Sequence, residues 1–432
     1  MASSAHAKYL SKLPVDWERV PVRALGTVHA GGTPSRDIPR YWNGTIHWVT
    51  PAEITKLESK YLSKTNECIT YEGLACCAAK LLPEGSLLVT TRATIGGVAV
   101  SKLPVCTNQG FKNIVLNEMS NVNFYYHLFS IIVPELSRLA SGSTFPEINQ
   151  RNFETIIVPM PSKEEQRRIA EILDTIDEAI QKTEALISKL KAMKQGLLHD
   201  LLTRGLNKNG KLRDPKAHPE QFNDSPLGRI PREWILSRII SVSSIKYGIS
   251  DAIDQTLIKG VPTITLPCVS PLGELTLDKN LMALTEPGKL SPYDFLQPGD
   301  LLFNWRNGSR EHLGKTAYYN GNGEHTHVGF LLRVRSNPDM CKSRYLWWLL
   351  CFMKAKGFFL AAKGQVNNTF NSSELANVRI TLPSINEQMA IDAVLESHDS
   401  RIRTEEQYRD KLKLQKKGLM HDLLTGRVRV KV

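Results

Sequence analysis

One stretch of this chain occurs twice. Residues 161–205, PSKEEQRRIAEILDTIDEAIQKTEALISKLKAMKQGLLHDLLTRG, align without a gap on residues 383–427, PSINEQMAIDAVLESHDSRIRTEEQYRDKLKLQKKGLMHDLLTGR, at a constant offset of 222 residues. Glu165-Gln166 falls on Glu387-Gln388, Asp177 on Asp399, and Gly196 to Thr203 on Gly418 to Thr425. A repeat of this length fixes the architecture before any motif does, because similar sequences at a fixed spacing fold into similar elements.

Both copies read as long helices. Ser162 and Ser384 each stand three residues before a glutamate, Glu165 and Glu387, the pattern in which a hydroxyl and a carboxylate satisfy free backbone N–H groups at a helix start. Gly205 and Gly426 stand where a helix can end in a left-handed residue, and no proline interrupts between these limits. In the first copy Ile169, Leu173, Ile176, Ile180, Ile187, Leu190, Leu197 and Leu201 keep a four-three spacing, with Thr183 and Lys194 as exceptions. That spacing is a coiled-coil seam. In the second copy His398, Glu405, Arg409 and Lys416 fall on matching positions. A helix of about 40 residues extends roughly 60 Å, too far to bury its stripe inside one ordinary domain. Equal length and matching apolar spacing suit mutual packing.

The 432 residues exceed one ordinary core, so two or more domains are expected. A net charge of +12 favours a polyanionic partner, nucleic acid first, although it also serves solubility. The seven cysteines show no CxxC spacing, and Cys76 and Cys77 are adjacent, which disfavours a disulfide framework. The N-terminus MASSAHAKYL lacks an apolar signal core and no stretch is long and apolar enough to span a bilayer. The expectation is a cytoplasmic chain with no membrane partner.

The segments before the two helices correspond more loosely. Leu13 to Trp17 resembles Ile230 to Trp234, and Pro83 to Val89 resembles Gln297 to Phe303, each then reaching an arginine, Arg92 or Arg306. Thr107-Asn108-Gln109-Gly110-Phe111 resembles Thr326-His327-Val328-Gly329-Phe330, and Gly142 and Asn149 match Gly364 and Asn371 at the helix offset. Short β-rich runs at 87–90, 114–116, 156–158, 301–304 and 330–334 alternate with Gly/Pro turns, and one helix per half is predicted near 123–139 and 343–359. Between the halves, residues 206–222 are polar, contain Pro215 and Pro219, and read as a linker. The expected order is therefore a globule over 1–160, a long helix over 161–205, the linker, a globule over 223–382, a long helix over 383–427, and a tail over 428–432. A chain that runs out along one helix and back along the other makes them antiparallel. The fold class is α+β: two globular heads separated by two long antiparallel helices, with an internal pseudo-two-fold repeat.

Together, GGTPS at 31–35, WNGTIHWVTPAEI at 42–54, TIGGVAV at 94–100, NQGF at 108–111, the PSKEEQRRIAEIL and PSINEQMAIDAVL pair, the two HDLLT tails and DSPLGRIPREW at 224–234 carry a resemblance. Over essentially its whole length the chain resembles the specificity subunit of type I restriction–modification systems. The second half departs more, with YGIS at 247–250 in place of GGTPS and GFLLRV at 329–334 in place of the NQGF context. The resemblance implies that each head is a target recognition domain reading one half of a bipartite, asymmetric site in double-stranded DNA. It implies that the helices set the unread spacer and dock two modification subunits, which methylate adenine N6 with S-adenosylmethionine. Restriction subunits, using ATP and magnesium, join to cleave. This chain would hold no cofactor or metal of its own and catalyse nothing. Two heads can face one groove when the half-sites sit about one helical turn, ~34 Å, apart, and methylation needs the base flipped out by the partner.

For the DNA face the candidates are polar and basic residues in Gly-flanked loops. In the first head they are Thr33, Ser35, Arg36, Arg92, Thr94, Gln109, Lys112, Ser143 and Thr144; in the second, Arg306, Asn307, Arg310, His325, His327, Gln365, Asn367 and Asn368. Trp17 and Trp234 recur with the repeat and are expected to pack heads against helices. GSREHLGKT at 308–316 has one residue too many for a phosphate-binding loop and reads as a turn before a strand at 316–319. His199-Asp200 and His421-Asp422 read as packing at helix C-termini rather than metal ligands, and the HxH at 325–327 as a DNA-facing loop. No NPPF-type or GxGxxG motif and no convincing nuclease carboxylate cluster is present. The competing readings are a coiled-coil scaffold with two protein-binding heads, which predicts no DNA preference, and a stand-alone enzyme, which predicts methyl transfer by the isolated chain.

Overall fold

The computed structural model describes residues 5–140, 146–250, 257–270, 273–306, 309–361 and 369–431. The chain forms two compact units, Met1–Leu186 with Glu405–Val432, and Ile187–Thr404. Two long helices, Lys163–Thr203 and Ile385–Leu424, each give one end to each unit. The reason lies in the apolar ends of the repeat. Ile169 and Leu173 from the start of the first helix and Leu423 and Leu424 from the end of the second enter the core of the first unit. Leu198, Leu201 and Leu202, with Ile391 and Leu395, do the same in the second. The HDLLT tails are therefore the last, core-closing turns of the two helices, and His199 and His421 lie exposed on their outer faces.

The first unit holds a five-stranded sheet in the order Gly26–Ala30, Phe111–Leu116, Leu87–Thr90, Val98–Ser101, Tyr61–Leu62. A three-stranded sheet runs Glu67–Ile69, Trp42–Val49, Val105–Thr107, and Glu18–Pro21 pairs with Ile157–Met160. The second unit repeats this plan. Its four-stranded sheet is Ser243–Tyr247, Leu331–Ser336, Leu301–Asn304, Thr316–Tyr318; its three-stranded sheet is Ala283–Thr285, Val261–Ile264, Thr326–His327; and Ile235–Arg238 pairs with Arg379–Leu382. It adds a hairpin, Phe222–Ser225 with Gly228–Pro231. The helix expected over 123–139 is two, Val122–Ile131 and Val133–Leu139, because Pro134 falls where an unbroken helix would need its N–H. Its counterpart Ser343–Ala355 is followed by Gly357, at φ +73°, and a short helix, Phe358–Ala361.

Strand pairing corrects one correspondence. Val49 faces Thr107 in the first unit and Ile264 faces His327 in the second. Leu87 faces Ile114, and Leu301 faces Val334. His327 thus occupies the place of Thr107, and Leu331 that of Phe111, one residue away from the match of Thr107–Phe111 with Thr326–Phe330. A one-residue slip exchanges the two faces of a strand. Phe111 and Leu331 are accordingly both in the core, whereas Phe330 is exposed.

The repeated Glu-Gln pair docks each helix start. Glu165 accepts hydrogen bonds from Trp17 Nε1 at 3.0 Å and from Arg429 Nε at 2.7 Å. Glu387 accepts from Trp234 Nε1 at 3.2 Å and from Arg213 Nη1 at 2.5 Å. Gln166 accepts from the Asn121 N–H and donates to the carbonyls of Pro161 and Met119; Gln388 accepts from Lys342 N–H and donates to those of Pro383 and Met340. Half of the expected capping box forms, since Ser162 and Ser384 hydroxyls accept from the Glu165 and Glu387 N–H groups at 3.2 and 3.3 Å. The carboxylates turn instead to tryptophan and arginine. Arg213 shows that the stretch 206–222 is docked rather than a free linker, with Leu206 and Arg213 both buried.

The two lysines on the seam, Lys194 and Lys416, are paired. Lys416 meets Asp177 at 2.6 Å and Lys413 meets Glu184 at 2.6 Å in the first unit, so the helix segments there run antiparallel. In the second unit Lys194 meets Asp399, the repeat equivalents of Lys416 and Asp177. Thr183 stays on the seam by donating its hydroxyl to the Ala179 carbonyl at 2.8 Å.

Candidate nucleic-acid interface

In the first unit four loops are tied into one surface. The turn entered at Gly31 presses on the strand end at Thr107. A Cβ on Gly31 would lie 1.9 Å from the Asn108 carbonyl oxygen, so nothing larger fits, and Gly32 N–H donates to the Thr107 carbonyl at 2.9 Å. Thr33 Oγ1 donates to Gln109 Oε1 at 2.5 Å. Thr91 N–H donates to the Gly110 carbonyl at 2.8 Å, and Ala93 N–H to that of Pro146 at 3.2 Å. Ala93 has φ +59°, a left-handed backbone that a non-glycine residue adopts only at some cost. It sits between Arg92 and Thr94, which it presents on one exposed turn. Thr33, Ser35, Arg36, Thr94 and Gln109 are exposed and Arg92 is half-buried.

Two arginines on this surface are held by acids. Arg36 grips Glu67 through both terminal nitrogens and lies 3.8 Å over the Trp42 ring. Hydrogen bonding from Arg36 holds the Glu67 carboxyl below the usual carboxylate range. Arg92 forms a β-bridge with Glu147, whose carboxylate lies 3.5 Å from Arg92 Nε and 3.6 Å from Lys112 Nζ. Lys112 therefore does not face DNA. It is buried on the strand Phe111–Leu116, and burial pushes its amine down from the ordinary lysine range, with Glu147 partly offsetting the effect.

The second unit builds the same junction with other residues. A Cβ on Gly248 would lie 2.3 Å from the Val328 carbonyl oxygen and 2.4 Å from that of His327, so the YGIS turn stands where GGTPS does. Ile249 N–H donates to the His327 carbonyl at 2.9 Å and Gly329 N–H returns to the Ile249 carbonyl at 2.6 Å. Trp305 Nε1 donates to the Gly329 carbonyl at 2.6 Å and meets Tyr247 edge to face. Arg306 bridges Thr369 as Arg92 bridges Glu147, is exposed, and lies 6.0 Å from the Phe330 ring centroid. His325 is half-buried, its Nδ1 2.9 Å from Tyr319 Oη, and burial lowers its pKa.

His327 also leaves the DNA face. It is 1% exposed, and neither ring nitrogen makes a hydrogen bond of normal geometry. Burial, reinforced by Arg333, lowers its pKa to about 4. Its strand register turns it inward, as Thr107 is turned. Arg310 opens a short turn, Arg310–His312. Ser143, Thr144, Asn307, Gln365, Asn367 and Asn368 lie outside the described residues. Sequence reasoning passed over Glu147, Glu67, Trp42 and Phe330. The choice of polar and basic residues excluded them, although Glu147 at the helix offset from Thr369 marks a difference between the heads. Among the described residues no group of three His, Cys, Asp or Glu side chains could hold a metal. Lys315 lies buried in a turn before the strand Thr316–Tyr318. Among the described residues no helix is long and apolar enough to cross a membrane.

The chain belongs to the family described as the type I restriction modification DNA specificity domain, which its residues 14–192 and 278–414 match. It is similar to the MjaIX type I restriction enzyme specificity subunit of Methanocaldococcus jannaschii, 32% identical over 55% of this chain and 54% of that one. The match thus spans about half the length of that relative. The MjaVIII specificity subunit of the same organism is 22% identical over 97% of this chain and 95% of its own. The fold is shared with the S subunit of a type I restriction–modification system from M. genitalium, at TM-score 0.57 and 13% identity over 95% of this chain and 98% of that one.

Proposed function

We propose that this chain is the DNA specificity subunit of a type I restriction–modification complex. Each head reads one half of a bipartite, asymmetric duplex site, and the long helices set the spacer and dock two modification subunits. The observation that carries this is the duplicated junction: two heads with one plan, joined to nearly identical helix ends, but with different side chains on equivalent turns. Equal frames with unequal readers suit a site whose halves differ. The basic balance of the chain supports phosphate contact. A groove of about 1060 Å³ in the first unit, lined by Tyr9, Ile131, Pro134, Lys413, Lys417 and Met420, supports partner docking. In this reading the chain performs no catalytic step; S-adenosylmethionine belongs to the modification subunits, and ATP and magnesium to the restriction subunits. Selection of bound duplexes from a random library, with the chain in complex with its modification subunits, tests it. Enrichment of two half-sites at fixed separation is expected; enrichment of no sequence, or of a single contiguous one, would refute it.

A further inference from the structure

The two heads differ at the arginine that follows their central strand. In the first, Glu147 holds Arg92 at 3.5 Å and is itself anchored by buried Lys112 at 3.6 Å. Strand register puts Leu332 in the second head where Lys112 stands in the first, and Thr369 bridges Arg306 as Glu147 bridges Arg92. Leu332 is a core residue, and among the described residues Arg306 meets the Thr369 backbone and the Phe330 ring rather than an acid. The cluster of one acid and two cations in the first head is thus replaced by an uncharged pair and an arginine without an acid partner among the described residues in the second.

These settings favour different DNA atoms. A phosphate approaching Arg92 also approaches the Glu147 carboxylate, and like charges repel at short range. A base edge carries no net charge and meets no such repulsion. With Glu147 at Nε, the terminal nitrogens of Arg92 stay available for the bidentate contact that guanidinium makes to guanine O6 and N7. Among the described residues Arg306 has no such acid, and it can neutralise a phosphate. Resting on the DNA-recognition reading above, we infer that Glu147 is a specificity-determining residue: it withholds Arg92 from the DNA backbone and aims it at a base, whereas Arg306 grips a phosphate.

The second head supplies the test, because it shows that the fold accepts the uncharged pair. The double variant Lys112→Leu with Glu147→Thr grafts that pair into the first head and leaves net charge unchanged. The reverse graft, Leu332→Lys with Thr369→Glu, tethers Arg306. Each is assembled with the modification subunits, and DNA binding is measured against salt while the methylated motif is sequenced. The first graft is expected to steepen the slope of log K against log salt by about 1, the gain of one phosphate contact with release of its counterion, and to make one position of one half-site degenerate. The reverse graft is expected to flatten the slope by about 1. Unchanged slopes in both grafts would overturn the inference. If the unaltered complex shows no sequence-selective binding, the recognition reading itself fails, an outcome separate from the grafts.

Discussion

Thr107 and His327 occupy the same place in the two heads, yet only His327 can take up a proton. Its ring is buried beside Arg333, and its pKa is lowered to about 4. The unfolded chain binds that proton at about pH 6.5. As pH falls from about 6.5 to about 4 the unfolded state is therefore favoured progressively, and below that window nothing more is lost from this group. The whole effect is roughly 3 kcal/mol. His327→Thr, which copies the first head, should flatten the pH dependence of urea-unfolding stability across that window, whatever its effect at pH 8. An unchanged slope would show that His327 is not the group responsible. Side chains such as Lys112 and His327 were not readable as buried from the sequence. The strands around them are short, and a shift of one residue exchanges core and solvent faces. Glu147 escaped for another reason: which loops meet is decided by tertiary packing.

At the scale of elements, much of the structure was legible. The long helices and the pairing of the two tryptophans with the helix starts follow from the repeat, and the left-handed terminal glycines at φ +63° and +67° from the residue type at each helix end. The tertiary closure was not legible, because each arginine partner comes from the segment after the other helix. Arg213 and Arg429 reach equivalent glutamates from positions that do not match at the repeat offset. Their settings differ, Arg213 being nearly buried and Arg429 largely open to solvent. Arg213 is the buried member of its pair, its side chain 6% exposed against 10% for Glu387, so Arg213→Ala leaves Glu387 without its counter-charge in a site that water barely reaches and should cost about 3–5 kcal/mol. Glu165 is itself buried, but the Arg429 side chain over it is 43% exposed, so in Arg429→Ala water can enter in place of the guanidinium and the loss should be smaller, about 1 kcal/mol. Urea unfolding followed by tryptophan fluorescence compares the two; equal losses would mean that burial does not govern this contact. Asp174 is a further tie in the first unit. Burial opposes its ionisation, but hydrogen bonds from His127 and Lys60 outweigh that and hold its carboxyl below the usual range.

For the whole molecule, the duplicated plan gives a reason for two long uninterrupted helices. Both helices have nearly the same length, 41 and 40 residues, and both carry the same lysine–aspartate pair, Lys194 with Asp399 and Lys416 with Asp177. If the helices set the spacer, inserting one heptad into each, between Thr183 and Lys189 and between Glu405 and Lys411, should lengthen the spacing tolerated between half-sites without changing the half-sites themselves. A recognised site that keeps its old spacer would remove the helices as the ruler. The central claim, that this chain directs methylation to one bipartite sequence, meets its most direct test in a methylation-free host that expresses the modification subunits. Adenine methylation is mapped across the genome, with sequence context, in the presence and absence of this chain. The account predicts that one bipartite, asymmetric motif becomes methylated only when the chain is present; an identical methylome in both strains would contradict it.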